Sequence, residues 1–330
     1  MRGLVTVFGG SGFVGGQIVR ALAKQGWRIR VAVRRPWQAY RLRLLGDVGQ
    51  IEIVQANVRV AETVERALDG AEAVVYAAGA AFESGRQTFD ALNADGPKTV
   101  AEAAAARGVA QFVFISGIGA DAGAASKAAR AKAAGEAAVR AAIPGAVILR
   151  PSVVFGPEDQ FFNRLAGMAV MAPAMPLFGG GTTRIQPVFV ADVARAAAAA
   201  LSPAAAGKTY ELGGPSVYTL KELIELVLKE IGRSRPLIPL PWGLVGLIGA
   251  VGDLGAALKA ALPLLAAPPL TSDQAALLKV DNVASPDLPG LAELGVKAQA
   301  LEPILPTYLY RYRKGGQYAD LEPPPEPSRA

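Results

Sequence analysis

The chain has 330 residues, with 34 Lys and Arg, 28 Asp and Glu, and neither histidine nor cysteine. Those two absences exclude disulfides, thiolate zinc and iron–sulfur sites, imidazole proton shuttles and histidine-based nucleophile triads. Acid–base chemistry is left to Tyr, Lys, Asp, Glu or a cofactor. A hydrophobic content of 52% with 19% charged residues describes a globular chain long enough for a full core. The net charge of +6 is local. Residues 1–60 hold ten Lys and Arg against Asp47 and Glu52, a net of +8, which leaves the rest of the chain at −2. That placement favours a compact anionic ligand near the N-terminal segment over nucleic acid.

The chain begins Met1-Arg2-Gly3 and enters the apolar run Leu4-Val5-Thr6-Val7-Phe8, without the pattern of a signal or transit peptide. A bacterial cytoplasmic location is expected. Apolar runs predict strands at 3–8, 28–33, 51–55, 72–77, 110–116 and 145–150. Between them, 14–25, 61–68, 97–107 and 125–142 read as helices, three of them closed by Gly26, Gly70 and Gly108. Strict alternation of this kind predicts a doubly wound parallel sheet. After Arg150-Pro151 the rhythm loosens, with further helices expected near 192–201 and 219–231 and Asp192 capping the first of them.

The resulting expectation is an α/β chain in two parts, a cofactor domain at 1–155 and a smaller mixed domain at 156–322, with segments near 180–201 returning to the first. The Pro-rich end, 323–330, reads as a disordered tail. Pro236 to Gly252 carries no charge over 17 residues, short of the ~20 that a membrane span needs. Three prolines and four glycines weaken that stretch as a helix. The stretch 236–270 therefore has two readings, a buried loop-rich segment or an apolar face docked on a partner or a bilayer surface.

The first strand runs directly into Gly9-Gly10-Ser11-Gly12-Phe13-Val14-Gly15 and then a helix. Glycines at this spacing let the backbone turn tightly and approach a pyrophosphate held at the helix N-terminus. The second strand ends Val33-Arg34-Arg35-Pro36, where a unit selective for NAD usually carries a carboxylate for the ribose. Two guanidiniums there favour the 2′-phosphate of NADPH. Asn57-Val58 follow the third strand, and an amide at that position can hydrogen-bond adenine.

These features, with Ala77-Ala78-Gly79 closing the fourth strand, Asn93 in the following helix and Ser116 ending the fifth, resemble the extended and atypical short-chain dehydrogenase/reductase superfamily. The resemblance spans most of residues 1–215 and implies a Rossmann fold. Active members carry a Tyr-x-x-x-Lys pair, the tyrosine as acid–base and the lysine on the nicotinamide ribose. Here Lys132, Gly135 and Glu136 fit that run, and the tyrosine position falls on Ala128. No tyrosine lies between Tyr76 and Tyr210. The superfamily's usual proton transfer, a contribution of ~10²–10⁴-fold, therefore has no donor, and no catalytic residue and no metal ligand are assigned. Carried over by position, the resemblance implies cofactor contacts from Gly9, Ser11, Gly12, Phe13, Val14, Arg34, Arg35, Asn57, Val58, Ala77, Ala78, Gly79, Ser116, Lys132, Pro151 and Val154.

Longer segments narrow the resemblance. Leu149 to Arg164 (beginning Leu149-Arg150-Pro151-Ser152-Val153-Val154-Phe155-Gly156-Pro157-Glu158-Asp159), Gln186 to Ala194, Leu278 to Val283 and Leu301 to Arg313 are similar to the Rossmann-fold accessory subunit of respiratory complex I. That similarity covers roughly residues 1–320. It implies NADPH bound tightly without turnover, complex I subunits as partners, and a peripheral position on the cytoplasmic face of the inner membrane. Tyr308, Tyr310 and Tyr312, interleaved with Arg311, Arg313 and Lys314, suit a membrane-surface or protein contact, as does 236–270. The competing reading is an active NADP-dependent reductase or isomerase that uses another acid, such as Asp159.

Overall fold

The computed structural model describes residues 2–109, 111–261 and 270–316, the side chains of 259–261 excepted. The expected tail at 323–330 and part of the 236–270 stretch lie outside the described residues. The central strands are β1 (Arg2–Phe8), β2 (Trp27–Val33), β3 (Ile51–Gln55), β4 (Ala73–Tyr76), β5 (Gln111–Ile115) and β6 (Val147–Pro151), joined by β11 (Thr209–Leu212) from later in the chain. They form a seven-stranded, entirely parallel sheet in the order β11-β6-β5-β4-β1-β2-β3. The intervening helices are α1 (Phe13–Lys24), α2 (Ala61–Ala67), α3 (Gly96–Ala106) and α4 (Lys127–Ala142). Gly26, Gly70 and Gly108 take φ of +79°, +65° and +72°, the left-handed cap that ends a helix without cost only at glycine.

The strands are apolar on both faces because helices cover both. Val5 and Val7 of β1 point into one core with Val31, Val75, Val113 and Leu149, packed on α1 and on α6 (Val190–Ala199). Phe8, Val74, Tyr76, Phe114 and Ile148 line the other face, under α2, α3 and α4. The period of two along each strand assigns these alternate faces.

Beyond β6 come β7 (Val154–Phe155), α5 (Phe162–Met171), β8 (Met175–Phe178), β9 (Arg184–Ile185) and β10 (Val188–Phe189), and β11 (Thr209–Leu212) closes one sheet edge. A third core gathers Phe155, Phe162, Leu165, Met175, Leu223, Val227 and Leu305 from α5, α7 (Leu220–Glu230) and the C-terminal segment. The short strand β12 (Tyr218–Thr219) leads into α7, and β13 (Leu237–Leu240) pairs with β8. Thr219 and Glu222 form a capping box at the start of α7.

Of the two readings of 236–270, the loop-rich one does not hold for Trp242–Ala261, which form α8, a helix of 20 residues. Packing overrides the low helix propensity of its glycines. A Cβ at Gly249 would lie 2.9 Å from the Ser272 Cα, and one at Gly252 would strike the Leu270 carbonyl. Small residues thus let α8 lie close against α9 (Ser272–Leu277) and the residues before it. Val245 is buried, while Leu244, Leu247, Val251, Leu254 and Leu258 form an exposed stripe on the same helix. Among the described residues no helix is long and apolar enough to cross a membrane.

Asp192 does not cap α6 from outside. It lies within the first turn, and its buried carboxylate accepts the Gln299 backbone N–H at 2.7 Å and pairs with Arg195. The C-terminal strap is held similarly. Tyr308, in α10 (Pro306–Leu309), is buried and donates to Asp159 at 2.6 Å. Arg311 donates to Pro157 and Asn163, and Arg313 to the Glu230 carbonyl. This part of the tyrosine–arginine segment packs on the protein itself, with Tyr310 left exposed.

Candidate cofactor site

The glycine loop shows why each glycine is there. Gly9 has φ +78°, and a Cβ on it would sit 2.6 Å from the Ala78 amide nitrogen. A Cβ on Gly15 would strike the Gly9 carbonyl. Gly12 differs: it is exposed, its backbone is extended, and a Cβ there would meet only the Gly9 oxygen at 3.4 Å. Gly9 and Gly15 serve internal close packing, whereas Gly12 leaves the helix start open. Helix α1 has no side-chain cap and no acidic residue in its first turn. Its unsatisfied N–H groups and positive dipole end are available to an anion.

A crevice of about 210 Å³ opens there, lined by Gly9, Ser11, Gly12, Arg34, Val58 and Ala77-Ala78-Gly79, together with Ala32, Val33, Ala56, Gln87 and Leu92. Arg34 and Arg35 are exposed at the end of β2, and their side chains make no hydrogen bond or ion pair among the described residues. Burial first, then the charges of Arg35 and Arg59, push the Arg34 pKa down. A cluster of like charges with no carboxylate between them is set for an anion. Arg59 was not a sequence candidate; its only signal was its place two residues after Asn57. The Asn57 Oδ1 accepts the Arg59 N–H at 3.2 Å and its Nε at 3.4 Å, so this amide also positions the third guanidinium. Gln87 likewise had no signal, because it comes from a loop that folds back on itself through Ser84.

Phe13, Val14, Arg35, Asn57, Ser116, Lys132, Pro151 and Val154 do not line this crevice. Phe13 lies against Gly156, and Val14 and Val154 pack on the first core. Pro151 ends β6 and is buried. Ser116 and Lys132 lie beyond β5 and on α4. The Ser116 hydroxyl donates to Glu136 Oε1 at 2.5 Å, and Glu136 also takes Arg150 at 2.9 and 2.7 Å. Arg150 continues to Glu211 at 3.4 Å, which makes one ionic network across β6 and β11. The Lys132 ammonium has no hydrogen-bond partner among the described residues, and its Nζ occupies the space that a Cβ on Gly117 would need. Burial pushes its pKa down against the opposing charges of Glu136 and Asp273.

The start of α4, where the superfamily's tyrosine would stand, is closed from two sides. Ala128 is buried in a small cluster with Phe89 and Ala131. Ser126 caps the helix by accepting the Ala129 N–H at 3.2 Å. Asp273, from α9, accepts the Ser126 hydroxyl at 2.9 Å and the Lys127 N–H at 2.5 Å. A carboxylate at a helix N-terminus stabilises it by ~0.3–1 kcal/mol. Nothing local in the sequence marked Asp273, which lies 145 residues from Ala128 along the chain. Before α3, residues Asp90–Asp95 form a π-helical turn. It carries buried Asn93, and a Cβ on Gly135 would strike the Asn93 carbonyl.

Asp159 is a structural hub. Its carboxylate accepts the N–H groups of Gly156, Phe162 and Asn163 and the Tyr308 hydroxyl. Both carboxylate oxygens are committed, which argues against Asp159 as the acid of the competing reading. Among the described residues, no cluster of acidic side chains could hold a metal ion.

Residues 5–213 match the NAD dependent epimerase/dehydratase family. NADH dehydrogenase (ubiquinone) 1 alpha subcomplex subunit 9 of Arabidopsis thaliana is 33% identical, over 95% of this chain and 79% of that protein. The chain belongs to this family, in the branch of the complex I subunit 9 proteins. A ceramide reductase of Caulobacter vibrioides is 37% identical over 58% of this chain and 59% of its own length. The same epimerase/dehydratase fold occurs in the Escherichia coli NADPH-dependent quinone oxidoreductase QOR2 complexed with NADPH. That structure has a TM-score of 0.70 and 23% identity, and covers 91% of this chain and 97% of that one.

Proposed function

We propose that this chain is an accessory subunit of respiratory complex I that binds NADPH without turning it over. The observation that carries this reading is the start of α4, where Ala128 replaces the proton donor and Phe89 and Asp273 occupy its surroundings. Bound NADPH would bring a transferable hydride; at the start of α4 the described residues place an alanine where the superfamily's acid would accompany it. The α1 terminus and crevice would hold the pyrophosphate and adenosine, and Arg34, Arg35 and Arg59 the 2′-phosphate in preference to NADH. Lys132, without a partner of its own, would meet the nicotinamide ribose. Ligand bound only by the folded state stabilises it by ~2.7 kcal/mol at a hundred times Kd, so the cofactor serves as a structural element.

The relative's name places it in complex I, and the alignment over nearly the whole chain supports the same partners here. In this reading residues 1–155, with segments near 180–201 returning to them, form the cofactor domain and the rest of 156–322 the docking domain, on the cytoplasmic face of a bacterial inner membrane. The exposed stripe Leu244, Leu247, Val251, Leu254 and Leu258 would face the bilayer surface or a partner subunit. Pull-down of the tagged protein from detergent-solubilised membranes tests this directly. Co-purification of complex I subunits is expected, and their absence defeats the reading. The similarity to a reductase of ceramide favours one other outcome, NADPH-dependent reduction of a lipid carbonyl, which the same preparation would show as cofactor consumption.

A further inference from the structure

A second cavity, of about 610 Å³, lies between loop 82–89, the start of α4 and the α8–α9 pair. It shares no lining residue with the cofactor crevice; the loop that carries Gln87 on one side presents Thr88 and Phe89 to the other. Its volume falls in the range of small-molecule sites, and its lining joins apolar walls to a few polar side chains. Phe82, Phe89, Ala256, Ala257 and Ala276 supply the apolar surface.

The polar lining is acidic. Glu83, Asp253 and Asp273 reach it, and the one lysine, Lys127, is already held by Glu83 at 2.9 Å and by Asp90 at 3.4 Å. An anionic group would meet carboxylates with no free cation to balance it. A hydrogen-bond donor would meet acceptors. On α8 the apolar surface continues outward, because Leu254 lies one turn before Ala257 and Leu258 directly after it, both exposed.

We propose that this cavity binds a single-chain amphiphile with a hydrogen-bond-donating, non-anionic head, an amine or a hydroxyl. The head sits among Glu83, Asp253 and Asp273, and the chain runs along Leu254 and Leu258. The inference does not rest on the complex I reading, since it requires only this chain.

Calorimetric titration of the purified, NADPH-loaded full chain with dodecylamine, dodecanol, dodecanoate and methylammonium tests it. Dodecylamine should bind tightest and dodecanol next, with dodecanoate and methylammonium each weaker than dodecylamine by roughly tenfold or more. Ala276→Trp, which fills the cavity, should weaken dodecylamine binding by about the same factor while NADPH affinity stays unchanged. If that variant loses NADPH binding, Ala257→Phe at an exposed lining position provides the same test. Equal binding of dodecanoate and dodecylamine, equal binding of methylammonium, or indifference to the filling variant that keeps NADPH would overturn the proposal.

Discussion

Two helix N-termini, one on each side of the cofactor domain's centre, have opposite fates. At α1 no side chain caps the helix, no acid occupies the first turn, and Gly12 leaves open space in front of it. At α4 the cap Ser126 is reinforced by the carboxylate of Asp273, brought in from the C-terminal part of the chain. The first terminus needs a ligand to satisfy it, and the second has been satisfied from within. Under the proposed reading, the contrast separates the two halves of a dehydrogenase site: an open end for the nucleotide phosphates and a closed end where proton transfer would occur. The phosphate end is built on Gly9 and Gly15, where a Cβ would clash, with Gly12 open in front of them, whereas the proton-transfer end is filled by an alanine, a phenylalanine and an acidic cap.

Making the open terminus resemble the closed one should have the largest effect. Gly12→Asp fits the extended backbone there and should cap α1, raising apo stability by a few tenths to ~1 kcal/mol. The same carboxylate would repel a pyrophosphate by several kcal/mol, so NADPH affinity should fall by roughly 100-fold or more in calorimetry. Next comes Arg34→Ala with Arg35→Ala. Losing charge-assisted contacts of ~1.5–3 kcal/mol should weaken NADPH binding by roughly 10- to 100-fold and leave NADH binding nearly unchanged. Equal losses for both nucleotides would contradict the 2′-phosphate assignment.

Opening the closed terminus is a smaller perturbation. Asp273→Ala should cost ~1 kcal/mol in denaturant melts through the lost cap, with NADPH retained and no carbonyl reduction gained. Lys132→Met sharpens the contrast through opposite signs. It should weaken NADPH binding yet stabilise the apo protein by ~1 kcal/mol, because a desolvated ammonium without a hydrogen-bond partner is removed. Since burial lowers the folded-state pKa of Lys132, the unfolded state holds its proton to higher pH. The native lysine therefore costs most below its folded pKa, and the stability gained by Lys132→Met should shrink as pH rises toward the ordinary lysine range.

Much of this was legible from local pattern. The six apolar runs coincide with β1 to β6, and the glycines after α1, α2 and α3 take the left-handed cap their positions require. The glycine loop, Arg34 and the Ala77-Ala78-Gly79 turn come together in one crevice because strand ends in a parallel sheet converge on one edge. What sequence did not reveal depends on distant pairing. Asp273 on α4, Tyr308 on Asp159 and Gln299 on Asp192 join positions more than a hundred residues apart, for which periodicity carries no signal. The α8 helix was missed for a different reason. Its glycines read as breakers, while in the fold Gly249 and Gly252 are contact surfaces, and the helix places its small residues inward and its leucines outward.

The central claim, a nucleotide kept without chemistry, is tested most directly by following the cofactor in protein purified from its native host. Bound nucleotide is first identified by mass spectrometry. Nicotinamide absorbance is then monitored while ketones, quinones, nucleotide sugars and long-chain ceramide-type carbonyls are added. NADPH at near-stoichiometric occupancy is expected, with no loss of reduced cofactor beyond the protein-free rate. Copurified NADH in place of NADPH, or substrate-dependent oxidation that disappears in the Lys132→Met variant, would contradict it.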